Sequence, residues 1–130
     1  MARVLLDSTV LIDALRGRPA AERVRDLRRT GTEVWVCVIS VEEIWRGLLP
    51  GDEAPANRLL HALRLAPLGV TEGQQAGRWR RDYAAQGTTL HQADCLIAAA
   101  ALGVGATLAT GNPGDFPMTE IDVEHWPVGL

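Results

Sequence analysis

Apolar residues along this chain come in two rhythms: short unbroken runs, and longer stretches where they return every third or fourth position. The first rhythm predicts strands buried on both faces, and the second predicts amphipathic helices. Residues 4–6 read as the opening strand, ending at Asp7, and residues 10–15 as one or two helical turns stopped by Gly17 and Pro19. Residues 20–29 form a helix with Ala20, Val24 and Leu27 inward. A second strand, rich in β-branched residues, covers 34–39. Ser40 then opens a helix that ends near Gly47, and Pro50-Gly51 marks a loop. A helix over 54–65 puts Leu59, Leu60 and Leu63 on its buried side. A short strand is expected at 68–70, followed by a helix starting within 71–74 that aligns Trp79 with Tyr83. Gly87 makes a tight loop before an apolar helix at 90–102, capped by Gly103. Residues 107–110 are a strand, Gly111 to Asp115 a turn, and residues 123–126 close the sheet.

Strands alternating with helices predict an α/β fold: a central parallel β-sheet of four to five strands flanked by helices on both faces. No repeat, linker or low-complexity segment interrupts it, so residues 1–130 are expected to form a single domain. In such a sheet, ligands bind where the strands end and the helices begin, near a topological switch point.

Composition narrows the class. Hydrophobic residues make up 47% of the 130 positions and charged residues 22%, ordinary for a globular protein with a real core. Cys37 and Cys95 both lie in apolar segments without metal-type spacing and read as reduced core residues. No apolar stretch approaches a membrane span, and the first apolar tripeptide is too short for a signal-peptide core. A cytoplasmic location with no membrane partner is the expectation.

The acidic residues carry the chemistry. Asp94 is the single formal charge between Asp82 and Asp115, set at the head of the run Cys95-Leu96-Ile97-Ala98-Ala99 with no basic residue nearby in sequence. An unpaired carboxylate stripped of water there costs several kcal/mol, so a distant basic partner or a bound cation is implied. Three more acids fall at the same sheet edge. Asp7 follows the first strand, Glu43 lies in the first turn of the helix after the second, and Asp115 lies in the loop after residues 107–110. Four carboxylates in one crevice cannot all stay ionised without a counter-charge. With no His or Cys among them, they suit a hard divalent cation, Mg²⁺ or Mn²⁺. Such an ion polarises phosphate oxygens and acidifies water, which points to phosphodiester hydrolysis.

Net charge is −3, unpromising for a nucleic-acid partner. Setting aside the four charges of the acidic set leaves −3 + 4 = +1. All 13 basic residues are Arg, which grips phosphate oxygens in a bidentate fork, so RNA remains an eligible partner.

Four segments, in order and spacing, resemble the PIN-domain ribonucleases. They are Leu5-Leu6-Asp7-Ser8-Thr9-Val10-Leu11-Ile12-Asp13, Val41-Glu42-Glu43-Ile44-Trp45-Arg46-Gly47, the run from Ala93-Asp94 to Ala101, and Ala109-Thr110-Gly111-Asn112-Pro113-Gly114-Asp115-Phe116. In length and motif wording the chain is most similar to VapC toxins of bacterial toxin–antitoxin pairs. The resemblance implies that Asp7, Glu43, Asp94 and Asp115 are the acidic metal-binding and catalytic set, with Thr110 and Asn112 as supporting polar residues. The family often has Asn two residues after the first Asp; here that position is Thr9, whose hydroxyl supplies part of the same hydrogen bonding. The resemblance further implies a Mg²⁺-dependent endoribonuclease acting on structured RNA, transfer RNA above all. It also implies a homodimer and a cognate VapB-type antitoxin that places a basic side chain in the acidic pocket.

Blander readings stand beside these. Ser40-x-x-Glu43 is also a capping box, Glu42 competes with Glu43, Asp7 fits a helix cap, and Asp115 fits a turn. Asp94 has the poorest such alternative, since the expected helix places it several residues inside. Asp13 and His91 are expected near the same edge, His91 as a solvated helix-start residue. Trp79 reads as core with Arg78, Arg80 and Arg81 on a solvated face, while Arg16 and Arg18 are placed to touch a phosphate backbone. Two other functions compete. A haloacid-dehalogenase-type phosphatase would want an acid at position 9 and a Lys, and the chain has neither. A non-catalytic binding module of the same fold would have no reason to keep all four acids.

Overall fold

The computed structural model describes residues 2–129. Five parallel strands form one sheet in the order β3-β2-β1-β4-β5. They are β1 (Arg3–Leu6), β2 (Glu33–Val36), β3 (Arg64–Leu65), β4 (Thr107–Thr110) and β5 (Val123–His125). The chain builds outward from β1 through β2 to β3, then returns to lay β4 against the other side of β1. The switch point therefore lies between β1 and β4, with Leu6 opposite Ala109.

Strand pleating sorts the core. Val4, Leu6, Val34, Val36 and Ala109 point to one face, where they meet α1 (Ser8–Leu15), α2 (Pro19–Arg29), α3 (Val38–Arg46) and α4 (Glu53–His61). Leu5 and Leu108 point to the other face, against α5 (Val70–Ala85) and α6 (Gln92–Val104). Leu5, Leu6, Leu11 and Leu108 are fully buried. Each contributes about 1.5–3 kcal/mol relative to an exposed position. Ala98 to Ala101 are also buried, and their small side chains let α6 lie close to the sheet.

Several boundaries differ from those read in the sequence. β2 stops at Val36, and Cys37 is the extended residue from which α3 departs, so Val38 and Ile39 are helical despite their β-branching. No strand forms over 68–70. The edge strand is instead Arg64–Leu65, and Pro67 ends the ladder because it has no N–H to donate. Val70 opens α5, where Glu72 Oε1 accepts the Gly69 N–H at 2.7 Å. α4 ends at His61, leaving Leu63 beyond the helix yet packed on the core. α6 runs two residues later than expected at both ends. Gly105, at φ +65°, adopts the left-handed cap, and Gly103 is an ordinary helical residue.

Candidate active site

β1 delivers Asp7 to the switch point. Its backbone N–H donates to Ala109 O at 3.1 Å, and its side chain caps α1 by accepting the Val10 N–H at 3.2 Å. Capping is therefore a real role of Asp7, but not its only one. Thr110, at the end of β4, donates its hydroxyl to Asp7 Oδ2 at 2.5 Å, and Thr9 donates to Asp7 Oδ1 at 2.6 Å. Burial to 5% exposure pushes the Asp7 carboxyl above its usual range, while the two hydroxyls and the backbone N–H act in the opposite direction.

The threonines are held in turn. Thr9 Oγ1 accepts the Gly111 N–H at 2.9 Å, and Thr110 Oγ1 accepts the Asn112 N–H at 3.0 Å. Asn112 thus reaches Thr110 through its backbone N–H, and its side chain is exposed. Gly111 has no room for a side chain: a Cβ there would lie 2.7 Å from Val128 Cγ2 and 3.1 Å from Thr9 Oγ1. Nothing in the order of residues marks this glycine as a contact point, since a turn explains it equally well.

α3 resolves the choice between its two adjacent acids. Glu42 faces solvent and pairs with Arg46 one turn later, at 2.9 and 3.0 Å. Glu43 turns inward, where Oε1 accepts the Ser8 hydroxyl at 2.6 Å. Because α3 begins at Val38, Ser40 is its third residue, fully buried with no hydrogen-bond partner for Oγ, and the capping box does not form. Glu43 accordingly sits in the second turn.

Asp94 is the third residue of α6. Asp94 is therefore not several residues inside the helix, as the expected start at residue 90 would have it, but a half-buried first-turn acid, where the helix dipole favours a negative charge. Even so, its carboxyl is pushed up to about 6. Desolvation is the largest cause and the charge of Asp115 the next; His91 opposes them, and Glu43 and then Asp7 add smaller upward contributions. The four acids therefore share one field. Asp115 closes a short 3₁₀ turn, Pro113–Asp115, anchored by its N–H to Asn112 O at 3.1 Å, and is exposed.

Asp13 does not join them. Its carboxylate accepts the backbone N–H groups of Ala20 at 3.3 Å and Gly129 at 3.0 Å, tying α1 to α2 and to the C-terminal segment. Arg18 lies 3.8 Å from this same carboxylate, and so leans toward a structural partner. Arg16 lines an open groove of about 460 Å³ with Ile12, Leu15, Ile44, Leu48 and Leu49. Trp79 is core, donating to Glu120 Oε2 at 2.6 Å, and Arg78, Arg80 and Arg81 are exposed.

The donor set is all oxygen and mutually repelling, which fits a hard divalent ion. Among the described residues no three His, Cys, Asp or Glu side chains stand close enough to grip an ion together. Mg²⁺ tolerates this, because it usually keeps several waters and takes only one or two carboxylates directly.

The fold and this edge have counterparts. Residues 4–121 match the PIN domain family. The chain is 33% identical over 117 residues to ribonuclease VapC10 of Mycobacterium tuberculosis, covering 90% of this chain and 88% of that protein. It is 30% identical over 115 residues to ribonuclease VapC19 of the same organism, covering 88% and 92%. In three dimensions it is similar to VapBC2 from Rickettsia felis, solved bound to a promoter DNA fragment. The TM-score is 0.84 and the identity 18%, covering 95% of this chain and 98% of that one. Matched almost end to end in both sequence and topology, the chain belongs to the PIN-domain family, among the VapC ribonucleases.

Proposed function

We propose that this protein is the toxin of a VapBC-type pair, a Mg²⁺-dependent endoribonuclease whose working groups are Asp7, Glu43, Asp94 and Asp115. The observation that supports this reading is the placement of four sequence-distant acids toward the β1/β4 switch point: Asp7 at the end of β1, Glu43 bonded to the adjacent Ser8, Asp94 in the first turn of α6 and Asp115 in the turn after β4, with Asp115, Glu43 and Asp7 each raising the Asp94 carboxyl. Membership among divalent-metal-dependent PIN ribonucleases supports a cation there. When bound, that ion supplies counter-charge to phosphate oxygens and acidity to a water.

The chain's own groups divide the labour. Thr110 and Thr9 favour the ionised form of Asp7 and fix its orientation by donating to both of its oxygens, against the desolvation that raises its carboxyl. Asp94 comes from the first turn of α6, Asp115 from the 3₁₀ turn after β4, and Glu43 from α3. A scissile phosphate would be drawn in only with metal present, since the bare crevice repels anions. Structured RNA, transfer RNA foremost, is the proposed substrate, with Arg16 the better placed of the two arginines to meet its backbone.

The proposed partner is a VapB-type antitoxin, with the toxin itself a homodimer. The groove beside Ile44 offers such a peptide an apolar seat, and Leu49 on its rim is 69% exposed. No helix among the described residues is long and apolar enough to cross a membrane, and we place the protein in the cytoplasm with its RNA. The phosphatase reading loses ground because Thr9 occupies the second acidic position and donates its hydroxyl to Asp7.

The test is cleavage of total RNA by purified protein with Mg²⁺, with chelator, and as Asp94→Asn. Cutting that stops with chelator and in the variant is expected. Cutting that survives both would belong to a contaminant and end this reading.

A further inference from the structure

We propose that Ser8 is the positioning residue for Glu43, fixing which carboxylate oxygen of that acid faces the crevice. This rests on the nuclease reading above and adds a residue to it. Ser8 is the first residue of α1 and directly follows Asp7, so β1 places both side chains at one edge. Its hydroxyl reaches 35 residues along the chain to Glu43 Oε1 at 2.6 Å, a distance typical of an O–H donor on an ionised acceptor. That bond occupies one carboxylate oxygen and leaves Oε2 for a cation or its water.

Two other observations favour the assignment. Glu42 is drawn outward by Arg46, so Glu43 is the one acid of its pair that α3 turns toward α1. Among the described hydrogen bonds, Ser8 is the sole partner of the Glu43 side chain. Asp7, by contrast, has three donors on its carboxylate. Without Ser8, Glu43 would sweep its rotamers at the crevice mouth, and each binding event would have to order it again. Among the described residues the hydroxyl makes no other hydrogen bond, so its loss should spare the fold.

The test is Mn²⁺ binding by titration calorimetry on the full chain, alongside thermal unfolding without metal. Ser8→Ala is expected to bind Mn²⁺ about 5- to 10-fold more weakly than the parent, the scale of one ordinary net hydrogen bond. Its metal-free melting temperature should stay within about a degree of the parent. Ser8→Thr keeps the hydroxyl and should restore the affinity. Ser8→Ala combined with Glu43→Gln should bind no more weakly than Glu43→Gln alone, because the first change acts only through the second group. Parent-like affinity in Ser8→Ala, with binding still lost in Asp94→Asn, would overturn the role of Ser8 and leave the nuclease reading intact. Additive losses in the double variant would do the same. Absence of Mn²⁺ binding by the parent chain would overturn both.

Discussion

Thr110 Oγ1 donates to Asp7 Oδ2 at 2.5 Å across the β1/β4 seam, joining residues 103 positions apart at the point where the order of strand addition reverses. Thr110 is fully buried and Asp7 nearly so, which makes the bond strong and its loss costly. Thr110→Val removes the donor while conserving shape. It should lower stability by about 1–3 kcal/mol and push the Asp7 carboxyl still higher, so RNA cleavage falls and needs a higher pH. Thr110→Ser should retain most of both. Denaturant unfolding and a pH–rate profile check this, and a Val variant with the parent's profile would contradict it.

Asp94 predicts an exchange of stability for function. Its folded carboxyl titrates near 6 against an ordinary 3.8, so between those values the native state keeps a proton that the unfolded chain has released. The stability this group contributes is present below pH 3.8 and is lost as pH rises through about 6. In metal-free protein at pH 7.5, Asp94→Asn should therefore raise stability by about 1 kcal/mol, after allowance for solvent screening and the lost helix-terminus interaction. Cleavage should nearly vanish. A metal-free variant less stable than the parent would show that the acid serves the fold.

Protons and metal should compete for the same oxygens. Mn²⁺ affinity is expected to climb as pH rises through about 6, where Asp94 ionises, and to level off above it. Calorimetry at several pH values, in buffers of different protonation enthalpy, would reveal the proton released on binding. Affinity that is flat from pH 5 to 8 would mean that Asp94 is not among the groups a cation meets.

How much of this was legible in the sequence follows from range. Asp7, Thr110 and the parallel sheet could be read because strand ends are marked locally, by apolar runs that stop at polar residues. Thr9 was visible as a departure from the family's usual Asn, and its hydroxyl does bond to Asp7. The inward turn of Glu43 was not visible. It depends on α3 starting at Val38, and β-branched Val38 and Ile39 look like strand until Cys37 breaks the ladder. The edge strand was misplaced for a similar reason: two residues paired to β2 carry no periodicity to detect. Asp13 is expected near the active edge, whereas helical rotation turns it toward Ala20 and Gly129. Ser8 and Gly111 matter through single tertiary contacts, which sequence spacing does not encode.

Gly111 tests whether the corner between β4 and the 3₁₀ turn is as tight as it looks. A methyl group there meets Val128 at 2.7 Å, and Val128 lies three residues beyond the end of β5, the strand that pairs to β4. Gly111→Ala should cost about 1–3 kcal/mol through overpacking and should lower cleavage by displacing Thr9 from Asp7. Combining it with Val128→Ala opens the space and should recover much of both losses. Failure of the second change to restore either would place the strain elsewhere.

Asp13 and Asp94 make the sharpest contrast, because the sequence offered both as acids of one edge. Asp13 is 2% exposed and its carboxylate satisfies two backbone N–H groups, those of Ala20 and Gly129. Asp13→Ala strands both donors, opens a small void, and should cost about 2–4 kcal/mol. Asp13→Asn keeps one acceptor oxygen and should cost less. Neither change touches the crevice, so the protein that remains folded at low temperature should bind Mn²⁺ with the parent's affinity. Asp94→Asn should behave in the opposite way, more stable without metal and unable to bind it. Measuring melting temperature and Mn²⁺ affinity on both variants separates an acid that builds the fold from one that works in it. Reduced Mn²⁺ affinity in folded Asp13→Asn would move that residue into the site.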